Sequence, residues 1–268
     1  MRNIVFQAKG YQHGPISRMI SPSDLGEFTK PFVFLDYFDS IADKNGGFGW
    51  HPHSGIATVS LVLDGQTEIE ENTGFKGKIE KGAVEYMQAG GGVWHTSHRD
   101  VGQRMHGFQL WVSLPPELEE NKATSHYLKK EEVAVKDNVR IILGEYQGVK
   151  SPIKAPNDMS YLQVSLKKGQ KWTYTPPKTH NVLWLQVYEG ELSNFKKDEV
   201  VVFDHSNESI TVEALEDTSL ILGSAAKFAH DLHLGRSSVH TNYSSLVRSQ
   251  AKIENQLQEL IKKGVLDR

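Results

Sequence analysis

Cysteine is absent from this chain of 268 residues. Without thiols the protein can form no disulfide, use no thiolate nucleophile, and hold no zinc or iron–sulfur cluster through sulfur. A metal site in this protein must therefore be built from histidine, carboxylate or other oxygen ligands.

Excess charge and long apolar runs are also lacking. The 30 Lys and Arg residues nearly balance the 33 Asp and Glu residues, so the formal net charge is −3. This balance gives no basic surface for nucleic acid or for an anionic membrane. No apolar run approaches the roughly 20 residues that span a bilayer, and the N-terminal residues lack a signal-peptide core. We therefore expect a cytoplasmic protein with no membrane partner and no direct nucleic-acid partner.

Most of the chain has the pattern of short strands. Residues 56–72, IATVSLVLDGQTEIEEN, alternate in polarity on both sides of Asp64-Gly65, a pair that predicts a hairpin turn. Similar runs separated by glycine turns follow along the chain. This pattern is typical of an all-β sandwich or barrel and not of an α/β fold.

The two halves of the chain resemble each other. VSLVLDGQTEIE in the first half is similar to LWLQVYEGELSN in the second, with Gly65 and Gly190 at matching turns. A repeat of this length predicts two copies of one β-domain. The polar segment 115–133 is the predicted linker, so we place the domains at residues 1–130 and 131–268.

Only the last stretch of the chain predicts an α-helix. Ser244 or Ser245 is the predicted N-cap, and Gly264 is the predicted end. We expect the helix to pack on the second β-domain, and the alternative is that it binds a partner helix. Its apolar stripe is formed by Leu246, Ile253, Leu257, Leu260 and Ile261.

Three histidines are the candidate metal ligands. His51 and His53 in GWHPHSG stand two residues apart, so in a strand their side chains project from one face, while Pro52 points away. His95 in MQAGGGVWHTSH follows a three-glycine turn one hairpin further along, which predicts that it lies beside the first pair. Three neutral imidazoles can hold a divalent first-row metal with open positions for water or substrate.

Several stretches, in order, resemble the pirin family of two-domain cupins. They are WHPHSGIATVSLVLDG, GAVEYMQAGGGVWH, HGFQLWVSLPPEL and the GRSSVHTN before the last helix. The resemblance implies an all-β fold of two tandem cupin-type barrels, a jelly-roll bicupin, with a C-terminal α-helix. It also implies a metal in the N-terminal barrel, held by the residues that match the family histidines, His51, His53 and His95. The family's second barrel usually holds no metal.

The family's carboxylate ligand has no match in this chain. Pirins have a glutamate two residues beyond the third histidine, where this chain has Ser97, and the general cupin glutamate corresponds to Ala57. A site without the anionic ligand keeps the full charge of the ion and should favour an anionic ligand. His98, Asp100 and His106 are the candidate additional ligands.

The resemblance implies a metal-dependent dioxygenase, an oxidoreductase that acts on a flavonol or related phenolic small molecule, like quercetin 2,3-dioxygenase. Iron is the metal expected first, and nickel, zinc, manganese and copper also accept imidazole. Two alternatives stay open: a non-enzymatic, pirin-like metal-binding protein with a regulatory protein partner, and a metal-free small-molecule binder. We expect a monomer.

For the other conspicuous side chains we expect structural roles and no part in the metal site. Trp94 is expected to point away from the ligands and pack in the core. Glu85 could be a distant base, but an exposed strand carboxylate is the simpler interpretation. We expect surface or loop positions for the histidines of the second half, which lack the same-face spacing of ligands: His180, His230, His233 and His240.

Overall fold

The computed structural model describes residues 2–43 and 46–267, and β-strands dominate this part of the chain. The predicted all-β class with a C-terminal α-helix is confirmed. No helix within the described residues combines the length and apolar character needed to cross a membrane.

The first half contributes the following elements in chain order: β1 (Ile4–Lys9), β2 (Tyr11–His13), β3 (Ile16–Ile20), α1 (Leu25–Thr29), β4 (Phe32–Ile41), β5 (Gly47–His53), β6 (Ile56–Glu71), β7 (Lys76–Glu80), β8 (Val84–Gln88), β9 (Val93–His98), β10 (Arg104–Ser113) and β11 (Thr124–Leu128).

After a 3₁₀ turn at Lys130–Glu132, the second half contributes the following elements: β12 (Ala134–Lys136), β13 (Val139–Leu143), β14 (Glu145–Tyr146), β15 (Val149–Lys150), β16 (Met159–Leu166), β17 (Lys171–Tyr174), β18 (Val182–Glu189), β19 (Glu199–Phe203), β20 (Ile210–Glu213), β21 (Thr218–Ala225), β22 (His233–Leu234), β23 (Val239–His240) and α2 (Tyr243–Lys262).

Two large antiparallel sheets organise the molecule. The first has the order β11-β8-β6-β10-β4-β3-β2, and β5, β7 and β9 join it through β6. The second has the order β1-β19-β18-β21-β16-β13-β12. Two-stranded ribbons β14–β15, β17–β20 and β22–β23 complete the pairing.

The hairpin predicted at Asp64-Gly65 is wrong. β6 continues through this pair and changes partners there: its first part pairs with β8 and β10, and its last part with β7 and β9. Gly65 has a φ of +86°, and a Cβ at this position would lie 1.8 Å from the Arg104 carbonyl oxygen. The pair therefore marks a bulge that bends one long strand across the first barrel, because only glycine fits there.

Chain segments cross between the two halves. β1 pairs with β19 in the second sheet, whereas α2 lies on β9 and on the β22–β23 ribbon. Trp94 Nε1 donates to the Ile253 carbonyl at 3.0 Å, and Gln256 Nε2 donates to the Gly92 carbonyl at 3.0 Å. The expected packing of α2 on the second β-domain holds for the β22–β23 ribbon, but the helix also lies on β9, and these two hydrogen bonds join it to the first barrel. The boundary near residue 130 remains a prediction.

The N-cap of α2 also differs from the prediction. Asn242, and neither Ser244 nor Ser245, caps the helix, because its side-chain oxygen accepts a hydrogen bond of 2.9 Å from the Ser245 amide. The predicted end is confirmed: Gly264 follows the helix with a φ of +69°.

The apolar cores explain where open volume remains. The largest cluster lies between the two sheets, where Phe32 of the first half meets Trp184 of the second edge-on at 5.4 Å. A second large cluster, including Leu183 and Trp172, fills the interior of the second barrel. Among the described residues, the apolar clusters of the first barrel are small ones, around Val33, Val62 and Met87. Its interior is therefore left with room for a ligand.

Candidate metal centre

Strand pairing brings the three candidate histidines together. β5 runs antiparallel to β9, and His51 lies directly opposite His95. His53 follows His51 by two residues and so faces the same side. The preceding turn depends on Gly90 and Gly92, whose φ angles are +52° and +144°. The fold thus places the three rings next to one another, as the sequence predicted.

The three rings form a compact cluster. One nitrogen of each of His51, His53 and His95 lies within 4.8 Å of those of the other two. The ring centroids are 4.3 Å apart for His51 and His95, and 5.0 Å apart for each pair that includes His53. Nitrogens on one ion with bonds of ~2.1 Å lie roughly 3 to 4 Å apart, so only a small closure of the rings is needed.

Backbone carbonyls hold two of the rings in a suitable tautomer. His51 Nδ1 lies 2.7 Å from the Gly49 carbonyl oxygen, and His53 Nδ1 lies 3.1 Å from that of Ser237. A carbonyl only accepts, so each Nδ1 carries the proton and each Nε2 keeps its lone pair. Nε2 of His53 and of His95 are buried and find no hydrogen-bond partner among residues 2–43 and 46–267. These orphaned nitrogens, turned to one point, fit a metal ion.

Burial also keeps the cluster neutral. Desolvation, followed by repulsion from His51, lowers the pKa of His53 to about 3. Desolvation and the two neighbouring rings hold the pKa of His95 well below its usual value. Desolvation also lowers the pKa of His51. Near neutral pH the rings therefore present lone pairs and no protons to an ion.

The candidate additional ligands do not join the cluster. Within the described residues, no carboxylate lies among these three ligand atoms. Ser97 lines the same cavity, where its hydroxyl accepts a hydrogen bond of 3.1 Å from the Phe48 amide. The side chain of His98 is 68% exposed, and His106 Nε2 lies 2.9 Å from the Tyr37 hydroxyl in a separate cleft between the barrels.

The histidine cluster opens into a cavity of about 840 Å³ inside the first barrel. Aromatic and aliphatic side chains form much of its wall: Trp111 meets the ring of His53 edge-on at 5.0 Å, and Phe34 stacks on Trp111 at 4.0 Å. Arg99 and Arg236 also line it. This volume and wall suit a flat aromatic molecule.

The interpretation of Glu85 as an exposed carboxylate is wrong. Glu85 is 2% exposed and lines the same cavity as the histidines. Its Oε1 has no hydrogen-bond partner within the described residues. A sequence signal was present: Met87, two residues on, shares the face of Glu85, and a methionine there indicates an inward face.

The expectation of surface or loop positions for the second-half histidines is wrong for His240. It lies in β23 and is 1% exposed, and its Nε2 lies 2.9 Å from the Ser54 hydroxyl. His180 lies in the loop between β17 and β18, as expected, but it is buried, with Nδ1 3.1 Å from the Ser224 hydroxyl. Both find partners from distant parts of the chain, which spacing in the sequence does not reveal.

Comparison with known proteins identifies the family. Residues 15–112 match the family model described as Pirin. A pirin-like protein of Caulobacter vibrioides is 32% identical over 221 residues, which cover 77% of this chain and 79% of that protein. The chain belongs to the pirin family.

Solved structures share most of the fold of this pirin. A quercetin 2,3-dioxygenase from Acinetobacter baumannii matches with a TM-score of 0.85 and 22% identity, covering 94% of this chain and 96% of that one. The bacterial pirin YhhW from Escherichia coli, crystallised in complex with nickel(II), matches with a TM-score of 0.68 and 20% identity, covering 83% and 99%. The predicted bicupin fold is therefore confirmed.

Proposed function

We propose that this pirin is a metal-dependent dioxygenase that adds dioxygen to a flavonol or a related phenolic small molecule. The observation that carries the proposal is the cluster of His51, His53 and His95 at one end of a partly aromatic cavity of about 840 Å³. Iron is the metal we expect first, with nickel, zinc, manganese and copper as alternatives.

The histidines, the backbone carbonyls and the aromatic wall would each have a separate role in this reaction. The three histidines would hold the ion, and the carbonyls of Gly49 and Ser237 would fix two of the rings. A bound ion would supply Lewis-acid charge that polarises a substrate oxygen. The aromatic wall would orient the flat rings of the substrate and exclude water.

The missing carboxylate indicates which form of the substrate binds. Ser97 occupies the family glutamate position and cannot offset the charge of an ion. Arg99, whose pKa burial lowers, and exposed Arg236 add positive charge at the cavity. We therefore favour a substrate that binds as an anion, with its oxygen already deprotonated or losing its proton in the cavity.

The same serine favours a second candidate function. A site that lacks the family carboxylate suits a non-enzymatic protein, one whose metal content changes its surface for a regulatory partner. A metal-free binder of small molecules is the simplest form of this alternative. Both alternatives predict no consumption of dioxygen.

Dioxygen uptake with the flavonol quercetin tests the proposal. We expect metal-dependent uptake by the unaltered protein, loss of at least about a hundredfold in His51→Ala, and unchanged uptake in His98→Ala. His98 is the matched control because it is an exposed histidine of the same sheet region. Bound metal without uptake across a panel of phenols would favour the non-enzymatic alternative.

A further inference from the structure

A row of polar side chains crosses the inner wall of the first barrel. The strand registers place its members opposite one another on six neighbouring strands. From β11 to β3, the row is Tyr127, Glu85, Ser60, Gln109, Asp36 and Arg18. The last five of these residues line the cavity that contains the histidine cluster.

The ends of the row are already paired. Arg18 donates two hydrogen bonds to Asp36, of 2.8 and 2.9 Å. At the other end the Tyr127 hydroxyl donates its one proton to Glu71 at 2.9 Å. Glu71 also accepts hydrogen bonds from Ser125 and Thr73, so its carboxylate is satisfied.

The middle of the row is not paired. Ser60 hydrogen-bonds the Glu85 carboxyl and Tyr127 lies beside it, but Glu85 Oε1 is buried without a hydrogen-bond partner among the described residues. Gln109 is half-buried on the cavity wall, and its side-chain amide makes no hydrogen bond to the described residues. A buried polar atom without a partner, such as Glu85 Oε1, is destabilising, so a partner supplied by a ligand is expected here.

The unpaired groups lie within reach of a ligand held at the histidines. Trp111 follows Gln109 by two residues on the same face and contacts the ring of His53. Two residues along a strand are roughly 7 Å apart, so Gln109 of the row lies about that far from Trp111, which borders the histidine cluster. A bicyclic or larger phenol could bind the cluster with one oxygen and reach the row with a hydroxyl.

We propose, resting on the function proposed above, that Glu85 and Gln109 bind a hydroxyl of a phenolic substrate and that Glu85 accepts its proton. In this step the phenolic O–H bond breaks, the proton forms an O–H bond with Glu85 Oε1, and the electron pair stays on the substrate oxygen. No redox change is involved. Glu85 would thus supply, from the opposite wall, the carboxylate that Ser97 does not provide.

The surroundings of Glu85 suit this exchange. Burial, with a contribution from the charge of Glu71, raises the pKa of Glu85 to about 7. The titratable or charged groups that face it are Tyr127 from β11 and Glu71 from β6, with the Asp36–Arg18 pair further along the row. Burial raises the pKa of Tyr127 as well, so this hydroxyl keeps its proton. The pKa of Glu85 thus lies where its carboxyl can exchange a proton near neutral pH.

Binding of phenol and of its methyl ether, anisole, tests the proposal. Phenol can donate a hydrogen bond and anisole cannot, while their size is similar. Both dissociation constants are measured on the full chain as purified and again after dialysis against a chelator, so that an ion cannot cause the preference. At about pH 8.5 we expect at least a tenfold preference for phenol, because a charged acceptor strengthens the bond.

Substitutions in the row test whether Glu85 and Gln109 cause the preference for phenol over anisole. Glu85→Gln keeps the shape of the side chain, and we expect it to reduce the preference for phenol below about threefold. The preference of the unaltered protein should shrink toward pH 5, and that of Glu85→Gln should not change with pH. Gln109→Leu should lose part of the preference, and Glu68→Gln, which alters an exposed carboxylate, should keep it. Equal affinities for phenol and anisole in the unaltered protein, or an unchanged preference in Glu85→Gln, would overturn the proposal.

A turnover measurement separates this proposal from the proposed function. We expect Glu85→Gln to keep its metal content and to lose about a hundredfold in kcat/KM for quercetin, the usual size of a lost general base. Turnover at the full rate in Glu85→Gln would refute proton acceptance by Glu85. A phenol preference that depends on Glu85, in a protein that never consumes dioxygen, would keep the binding site and reject the dioxygenase.

Discussion

The Ser54 hydroxyl lies 2.9 Å from Nε2 of His240, and both residues are buried. Ser54 directly follows the candidate ligand His53, and His240 directly precedes the segment that starts the C-terminal helix. On its other side His240 Nδ1 lies 3.5 Å from the carboxylate of Glu119. Glu119 accepts a hydrogen bond of 2.6 Å from the Thr241 amide. These contacts thereby connect the segment before α2 to the end of β5, the strand that carries His51 and His53.

Replacing His240 tests the importance of this link. His240→Leu would leave the Ser54 hydroxyl with one partner fewer and would remove the imidazole that lies beside the buried Glu119 carboxylate. We expect a loss of about 3 kcal/mol in the free energy of unfolding, measured by urea denaturation. His230→Leu, at an exposed position, should change stability by less than about 0.5 kcal/mol. Similar effects of the two substitutions would contradict the assignment.

The start of the C-terminal helix gives a second prediction. Asn242→Ala removes the side chain that accepts from the Ser245 amide. This change should destabilise the protein by about 1 kcal/mol, the usual worth of an N-cap. Ser244→Ala is the matched control, because Ser244 is exposed and does not cap the helix. A larger effect of Ser244→Ala would instead support Ser244 as the N-cap, as the sequence predicted.

The bend in β6 gives a third prediction. Gly65→Ala places a Cβ against the Arg104 carbonyl in addition to requiring a positive φ. Gly74 has a similar φ of +95°, but a Cβ there would meet nothing within 4 Å. We expect thermal or urea unfolding to show a loss of more than about 2 kcal/mol for Gly65→Ala and about 1 kcal/mol for Gly74→Ala. Equal losses would mean that φ alone matters.

The burial of Glu85 predicts a pH-dependent stability. Its pKa is about 7 in the folded protein against an ordinary value of 4.5. Below about pH 4.5 the carboxyl is neutral in both states and has no effect. Between the two values the unfolded chain ionises first, so stability falls with rising pH, and above pH 7 the loss levels off near 3 kcal/mol.

Glu85→Gln should remove this loss. We expect the variant to match the unaltered protein near pH 4 and to be about 3 kcal/mol more stable near pH 8, by urea unfolding. Glu68→Gln, at an exposed carboxylate, should show no such trend. A stability difference for Glu85→Gln that is the same at both pH values would show that this carboxyl is not buried as described.

The sequence predicted the His51–His53 pair because its geometry is local, since the two residues share a face by simple alternation. His95 reaches the pair through the pairing of β5 with β9, which β6, β7 and β8 separate in the chain, and the resemblance to pirins indicated this contact. The two-barrel fold was likewise predictable from alternating runs and from that resemblance. Alternation depends on neighbours in the chain, where strand periodicity is informative.

The features that the sequence did not predict depend on distant partners. Asp64-Gly65 has the composition of a hairpin turn, and only the pairing with β10 reveals a bulge in a continuous strand. Glu85 becomes a cavity residue because its strand lies in the wall of a barrel that is not filled by apolar side chains. The burial of His240 depends on Ser54 and Glu119, each more than a hundred residues away. None of these contacts leaves a periodic pattern.

The metal content of the purified protein tests the central claim most directly. Elemental analysis of protein prepared without chelators should find about one transition-metal ion per chain, almost none in His53→Ala, and an unchanged amount in His98→Ala. His53 is the ring to change because its Nε2 is buried and has no hydrogen-bond partner in the described part of the chain. Less than about a tenth of an ion per chain, after the apoprotein is supplied with iron, nickel, zinc, manganese or copper, would contradict the account. An amount that does not change in His53→Ala would also contradict it.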